Sequence, residues 1–199
     1  MSLLMRASEI HARPVVTMGG EDVAQVKDIV YSPGGGEVHG FTLAGRGMLA
    51  GPLDRGIRWS DVHALGGDAL MVADEEALQP LDVLLGDAGG GDGHGGGDIL
   101  GSQVLTDDGT VLGKVVDVIV GVLDSSRGAG HCDVVGYEIE ASDAVAPQGG
   151  TMLVPLPDTL AASAEHLMVP ASARDFVRHD MAGFGAAVEE FRSQLEGRQ

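Results

Sequence analysis

Short runs of alternating apolar and polar residues, cut by glycine- and proline-rich turns, set the pattern of this chain. Val38-His39-Gly40-Phe41-Thr42-Leu43 alternates as a strand with one buried face does. Arg13–Thr17, Val23–Tyr31, Ile57–Trp59 and Ala69–Val72 carry the β-branched and aliphatic content of further strands. Gly19-Gly20, Ser32–Gly36, Gly66-Gly67 and a Gly/Pro loop over residues 45–56 punctuate them. About five short strands within about 60 residues predict a small closed or nearly closed barrel. Short helices find room at 60–65 and 158–165, and residues 74–85 read as a short helix or an extended connector, with Pro80 interrupting a continuous helix there.

The plan then recurs. Val104-Leu105-Thr106 matches Val15-Val16-Thr17, and Gly109 matches Gly20. Val115-Val116-Asp117 matches Val26-Lys27-Asp28, and Val135–Ile139 matches His39–Leu43. Val154–Asp158 matches Ile57–Asp61, and Leu167–Val169 matches Leu70–Val72. The offset grows from 89 to 97 residues, which places insertions in loops, chiefly Asp124–Gly130. The expected organisation is mainly β: two small barrels in tandem over residues 1–73 and 99–170, joined by an acidic Gly/Asp-rich connector over 74–98. Residues 171–199 read as an amphipathic helix capped by Ser172, with Val177, Met181, Phe184, Val188 and Phe191 recurring at steps of four and three. That stripe either packs on its own barrel or meets a partner, including a second copy of the chain.

The strand over 115–123 is apolar on both sides. Val115 and Ile119 share one face, and Val116, Val118 and Val120 the other. One face fills a barrel, so the second is expected to pack against the other lobe, the helix or another chain.

Charge narrows the partners. The net charge is −18, and residues 74–170 hold 17 Asp/Glu against 2 Lys/Arg. Such a surface repels a phosphate backbone, so direct nucleic-acid binding is not expected there. The first lobe is nearer neutral, and Arg46, Arg55, Arg58 and Trp59 on or beside its long loop form its candidate protein contact, with Arg and Trp as anchors. No apolar run is long enough to span a bilayer, and the single Cys132 suits a reducing compartment, so a cytoplasmic location is expected.

Candidate chemistry is thin. Gly45-Arg46-Gly47-Met48-Leu49-Ala50 has dinucleotide-fingerprint spacing, but Gly51-Pro52 denies it the helix the motif needs. His131 and Cys132 are strand neighbours that point to opposite faces. Ser60-Asp61-Val62-His63 holds the residue types of a catalytic triad within four positions, whereas triads converge from separate elements. The histidines lack paired metal spacing. No cofactor, metal or catalytic residue is expected. Asp28 and Asp117 recur in both lobes and read as structural, each carboxylate accepting backbone N–H groups from a neighbouring turn.

Asp108-Gly109-x-x-Leu112-Gly113-x-Val115-x-Asp117, a strand with central Gly136, and Val154-Pro155 together resemble the PRC-barrel family. The resemblance extends to residues 3–73, where Ala24 replaces the glycine, Arg58 stands in place of the proline, and Gly40 matches Gly136. That family occurs in the cytoplasmic domain of the photosynthetic reaction-centre H subunit and in a bacterial ribosome-maturation factor. The resemblance implies a non-enzymatic interaction or assembly module acting on a protein partner. The alternatives are an RNA-processing or ribosome-assembly factor working through a ribosomal protein, and a regulator of a membrane or electron-transport complex. Fluorescence anisotropy at physiological salt should detect no binding of free RNA or DNA. Micromolar binding abolished by combining Arg46→Ala, Arg55→Ala and Arg58→Ala would overturn that expectation.

Overall fold

In a computed structural model the chain is described over residues 3–32, 36–47, 50–88, 99–125, 128–143, 145–146, 148–156 and 165–196. It is mainly β and divides into two compact units, Met1–Gly96 with Gly121–Asp133, and Gly97–Val120 with Val134–Gln199.

The first unit opens with β1 (Leu3–Arg6) and a single helical turn, α1 (Ala7–Ile10). The strands β2 (Pro14–Thr17), β3 (Asp22–Tyr31), β4 (Val38–Ala44), β5 (Pro52–Arg58), β6 (Val62–Leu65), β7 (Leu70–Val72) and β8 (Gln79–Pro80) follow. They form one sheet in the order β6-β7-β2-β3-β4-β5-β8. Its pairings are antiparallel except for β2 with β7. Val15, Val26, Phe41, Leu43, Ile57 and Leu70 are fully buried, as their alternation requires. A helix, α2 (Leu81–Asp87), starts directly after Pro80, whose fixed backbone suits a helix entry.

The other sheet contains β9 (Gln103–Thr106), β10 (Val111–Ser125), β11 (Gly128–Ala141), β12 (Thr151–Pro155) and β13 (His166–Val169), along the path β12-β11-β10-β9-β13; the parts of β10 and β11 within Gly121–Asp133 belong to the first unit and the rest to the second. Its register repeats that of the first. Val15 lies opposite Ala24 and, on its parallel side, Leu70; Val104 lies opposite Gly113 and Leu167. Gly40 faces Arg58 and Phe41 faces Ile57, as Gly136 faces Pro155 and Tyr137 faces Val154. The tight turns agree too. The Gly20 and Gly109 amides donate to the Thr17 and Thr106 carbonyls at 2.9 Å, and both glycines have left-handed φ, 86° and 84°.

Each sheet has a helix over the same position. A Cβ on Gly40 would collide with the Ile57 carbonyl oxygen and stand 2.9 Å from Leu84 Cδ1 in α2. A Cβ on Gly136 would collide with the Val154 carbonyl oxygen and stand 2.5 Å from Phe184 Cζ, in the C-terminal helix α3 (Met181–Glu196).

Three sequence expectations are corrected. Residues 60–65 are not a helix: a 3-10 turn over Trp59–Asp61 runs into β6. The loop expected at 124–130 is largely strand, because β10 continues to Ser125 and β11 resumes at Gly128. Ser172 does not cap the C-terminal helix. Residues Ala171–Phe176 form 3-10 turns, and Arg178 exchanges both backbone hydrogen bonds with Leu153 on β12, at 2.7 and 3.0 Å. That extended tie holds Arg178 out of a helix, and Asp180 makes the cap, its Oδ1 accepting the Gly183 amide at 2.9 Å. On the second face of β10, expected to need a cover, Val118 and Val120 are both buried, whereas Val116 remains 45% exposed. The helix expected at 158–165 and the connector's Gly-rich stretch fall outside the described residues, apart from their ends.

Gly136→Ala and Gly113→Ala should each lower unfolding free energy by about 1–3 kcal/mol, since a methyl group has no room to enter. At Gly113 the obstacle is the Glu140 carbonyl. Gly86→Ala, which meets open space inside α2, should leave stability unchanged or raise it. Urea denaturation of the three variants measures the contrast.

Candidate interaction surfaces

The four residues expected to form a contact around the first lobe's long loop do not act together. β5 begins at Pro52, so Arg55 lies on a strand, and it is exposed, as is Arg46. Arg58 pairs with Asp87 at the end of α2, which fixes its guanidinium against its own unit. Trp59 is only 7% exposed. Its ring packs at a tilt against Phe41, 6.1 Å between centroids, and its Nε1–H donates to the Gly130 carbonyl at 2.7 Å. Trp59 is thus a core residue with a satisfied donor, and the Arg/Trp patch reduces to Arg46 and Arg55.

The helical stripe also turns inward. Phe184, Val188 and Phe191 are buried, and the rings of Phe191 and Phe176 lie 5.1 Å apart. Val177 and Met181 are half-buried. Of the two readings of this stripe, packing on its own unit is the one observed for Phe184 and Phe191. Glycines 183 and 185 do not prevent the helix, because the aromatic contacts outweigh a propensity cost on the order of 1 kcal/mol each.

Asp28 and Asp117 sit at corresponding strand positions with different partners. The Asp28 amide donates to Thr42 Oγ1 at 3.0 Å, at a break in the β3–β4 register between Val26 and Ile29. Its carboxylate lies 3.1 Å from Lys27 Nζ and is exposed. Asp117 is buried, and its Oδ1 accepts the Val118 amide at 2.8 Å. These partners, Thr42 on β4 and Val118 on β10, are strand residues, and only Asp28 stands at a register irregularity.

Two adjacent carboxylates, Asp107 and the Asp108 that opens the motif above, tie the second unit together. Asp107 Oδ1 accepts the Ala171 amide at 2.8 Å, and Asp108 pairs with Arg174. The Thr106 hydroxyl, then Thr110 and Arg174, hold the Asp108 carboxyl down, from its ordinary 3.8 to about 2. Cys132 behaves oppositely: burial pushes its thiol up to about 12, while His131 is exposed beside Glu37. The two share no face, and a thiol so raised is not a nucleophile at neutral pH.

A shallow groove lies in the first unit. Ser60, Asp61, Val62 and His63 face Ala73, Asp74, Glu76 and Ala77 across a space of about 470 Å³. The triad-type residues line it side by side along one strand end, without the convergence catalysis needs. The stretch over 45–50 leads into β5 rather than a helix, so it offers no phosphate site. Among the described residues, no group of three or more His, Cys, Asp or Glu could hold a metal, and no helix is long and apolar enough to cross a membrane.

With this geometry in hand, the first unit can be compared with known families. Residues 4–79 match the PRC-barrel domain. No curated protein matches the chain. The PRC-barrel match covers β1 through the start of β8, stopping before α2, and includes the stretch where Ala24 and Arg58 depart from the motif. Ala24 is fully buried in β3, so the PRC-barrel architecture has space for a methyl group there.

The hold on Asp108 gives a pH test. A carboxyl whose pKa is depressed in the fold stabilises it above the unfolded value, and that contribution disappears as pH falls through about 2. Thermal melts between pH 4 and 2 should therefore decline more steeply for the parent chain than for Asp108→Asn. Parallel declines would show that the turn adds nothing to folding.

Proposed function

We propose that this protein is a non-enzymatic interaction module made of two PRC-type barrels in tandem, over residues 1–73 and 99–170. In this reading α2, within the 74–98 connector, covers the first barrel, and the 171–199 segment covers the second. The observation that carries the tandem reading is the shared register, in which Gly40 with Leu84 over it recurs as Gly136 with Phe184 over it. The PRC-barrel match at residues 4–79 supports the binding role. The strongly acidic balance favours a partner with a basic protein surface over a nucleic acid.

The test is affinity capture on the immobilised full chain from cells that make it, followed by mass spectrometry. A specific protein retained in stoichiometric amount and released by salt is expected. Ribosomal proteins in that position would specify an assembly or RNA-processing factor, and membrane-complex subunits a regulator of such a complex. Retention no greater than on an unrelated acidic protein of equal charge would overturn the module reading.

A further inference from the structure

We propose that the groove between Ser60–His63 and Ala73–Ala77, with the edge of β6 beside it, receives an extended basic segment of a partner protein. This rests on the interaction-module reading and assigns it a surface.

Backbone supplies the first argument. β6 is the end strand of its sheet, paired only with β7 among the described residues. Edge strands usually carry lysine or proline that discourages pairing. β6 carries neither, and its exposed side chains are His63 and Ala64. A segment laid along this edge would gain main-chain hydrogen bonds, as strand addition does elsewhere. The strand is four residues long and its register breaks between Val62 and Ala64, so those bonds are few. Further affinity has to come from side chains.

The groove is placed to supply it. Val62 faces Val72 at the end of the β6–β7 ladder, and the groove opens where the two chains leave it. Asp61, Asp74 and Glu76 line it, all exposed, and among the described residues none is in an ion pair with a basic residue. Asp74 Oδ1 accepts the Glu76 amide at 2.9 Å, which holds the two acidic residues in one rigid turn.

The other unit shows how the corresponding segment is treated when it is closed. After β13, Arg174 reaches back to Asp108 and the Ala171 amide to Asp107, so the chain supplies its own cation. At the matching positions of the first unit stand Met18 and Gly19, and Ala77 takes the place of Arg174. Met18 is 58% exposed, and its amide bonds Val72 and Ala73 at the groove's margin. The first unit therefore lacks the internal arginine and presents carboxylates with an apolar rim. An Arg or Lys on an incoming strand, flanked by an aliphatic residue, fits that chemistry.

The probe is a labelled peptide, Lys-Val-Arg-Val-Lys-Val, titrated into the full chain at low salt by fluorescence anisotropy, with amide chemical shifts followed by NMR. The expected result is saturable binding that shifts Ser60–Leu65 and Ala73–Ala77 amides. Combining Asp61→Asn, Asp74→Asn and Glu76→Gln should weaken it at least tenfold, because Asn keeps the turn acceptor while the charge is lost. Glu189→Gln with Glu190→Gln, on exposed positions of α3, should leave it unchanged. A peptide N-methylated at alternate residues keeps its charge and should also bind at least tenfold more weakly. Equal weakening by both sets of variants would reduce the attraction to net charge and overturn the site. Unimpaired binding of the N-methylated peptide would overturn strand addition, and no saturable binding would overturn both. If the partner captured by the full chain binds the groove variants equally well, the groove fails while the module reading stands.

Discussion

A helix side chain seated on a glycine of the central strand is the contact on which each unit depends. Leu84 over Gly40 and Phe184 over Gly136 need the strand surface to be bare of a Cβ. A side chain there would drive the helix outward and lose the contacts of a close-packed interior. The glycines also bring two neighbouring strands together, since the carbonyls of Ile57 and Val154 lie where the missing Cβ atoms would stand. Sheet and cover are therefore coupled through one small residue.

The two covers are held by different means. α2 follows Pro80 directly and is clamped by Arg58 on Asp87, within a hydrophobic cluster of Val30, Leu84 and Ala88. α3 arrives after a longer path fixed at four points: Asp107 on Ala171, Asp108 on Arg174, Leu153 on Arg178, and Asp180 on Gly183. The polar ties explain why Asp107 and Asp108 stand at the turn after β9 where the matching positions after β2 are Met18 and Gly19. They also consume charges that would otherwise mark a binding surface. In the first unit Asp61, Asp74 and Glu76 line the groove beside β6 and take part in no ion pair among the described residues.

Much of the strand plan was legible because alternation and glycine position are local properties. The match between Val15 and Val104, or between Gly40 and Gly136, needs only the order of residues, and the strand register reproduces it. α2 had a readable signal as well: Leu81, Leu84, Leu85 and Ala88 recur at helical steps after a proline. The groove had no such signal, since Asp61 and Glu76 come together only once β6 and β7 pair.

By itself the sequence determined the β character, the repeated order of strands, the tight glycine turns and the acidic balance, all of which follow from steric and charge properties of neighbouring residues. Tertiary structure alone decided where the chemistry faces. Trp59 and Phe184 have the composition of contact residues and are core, because Gly130 and Gly136 lie in their paths. Val118 and Val120 were expected to be covered and are buried, but a strand covered on both sides does not reveal its cover in its own residues. Ser172 had the right chemistry for a cap, yet a backbone pairing between Arg178 and Leu153, about 25 positions apart, moved the helix start to Asp180. Propensity and pattern act over a few residues, whereas burial and pairing depend on which distant segment arrives.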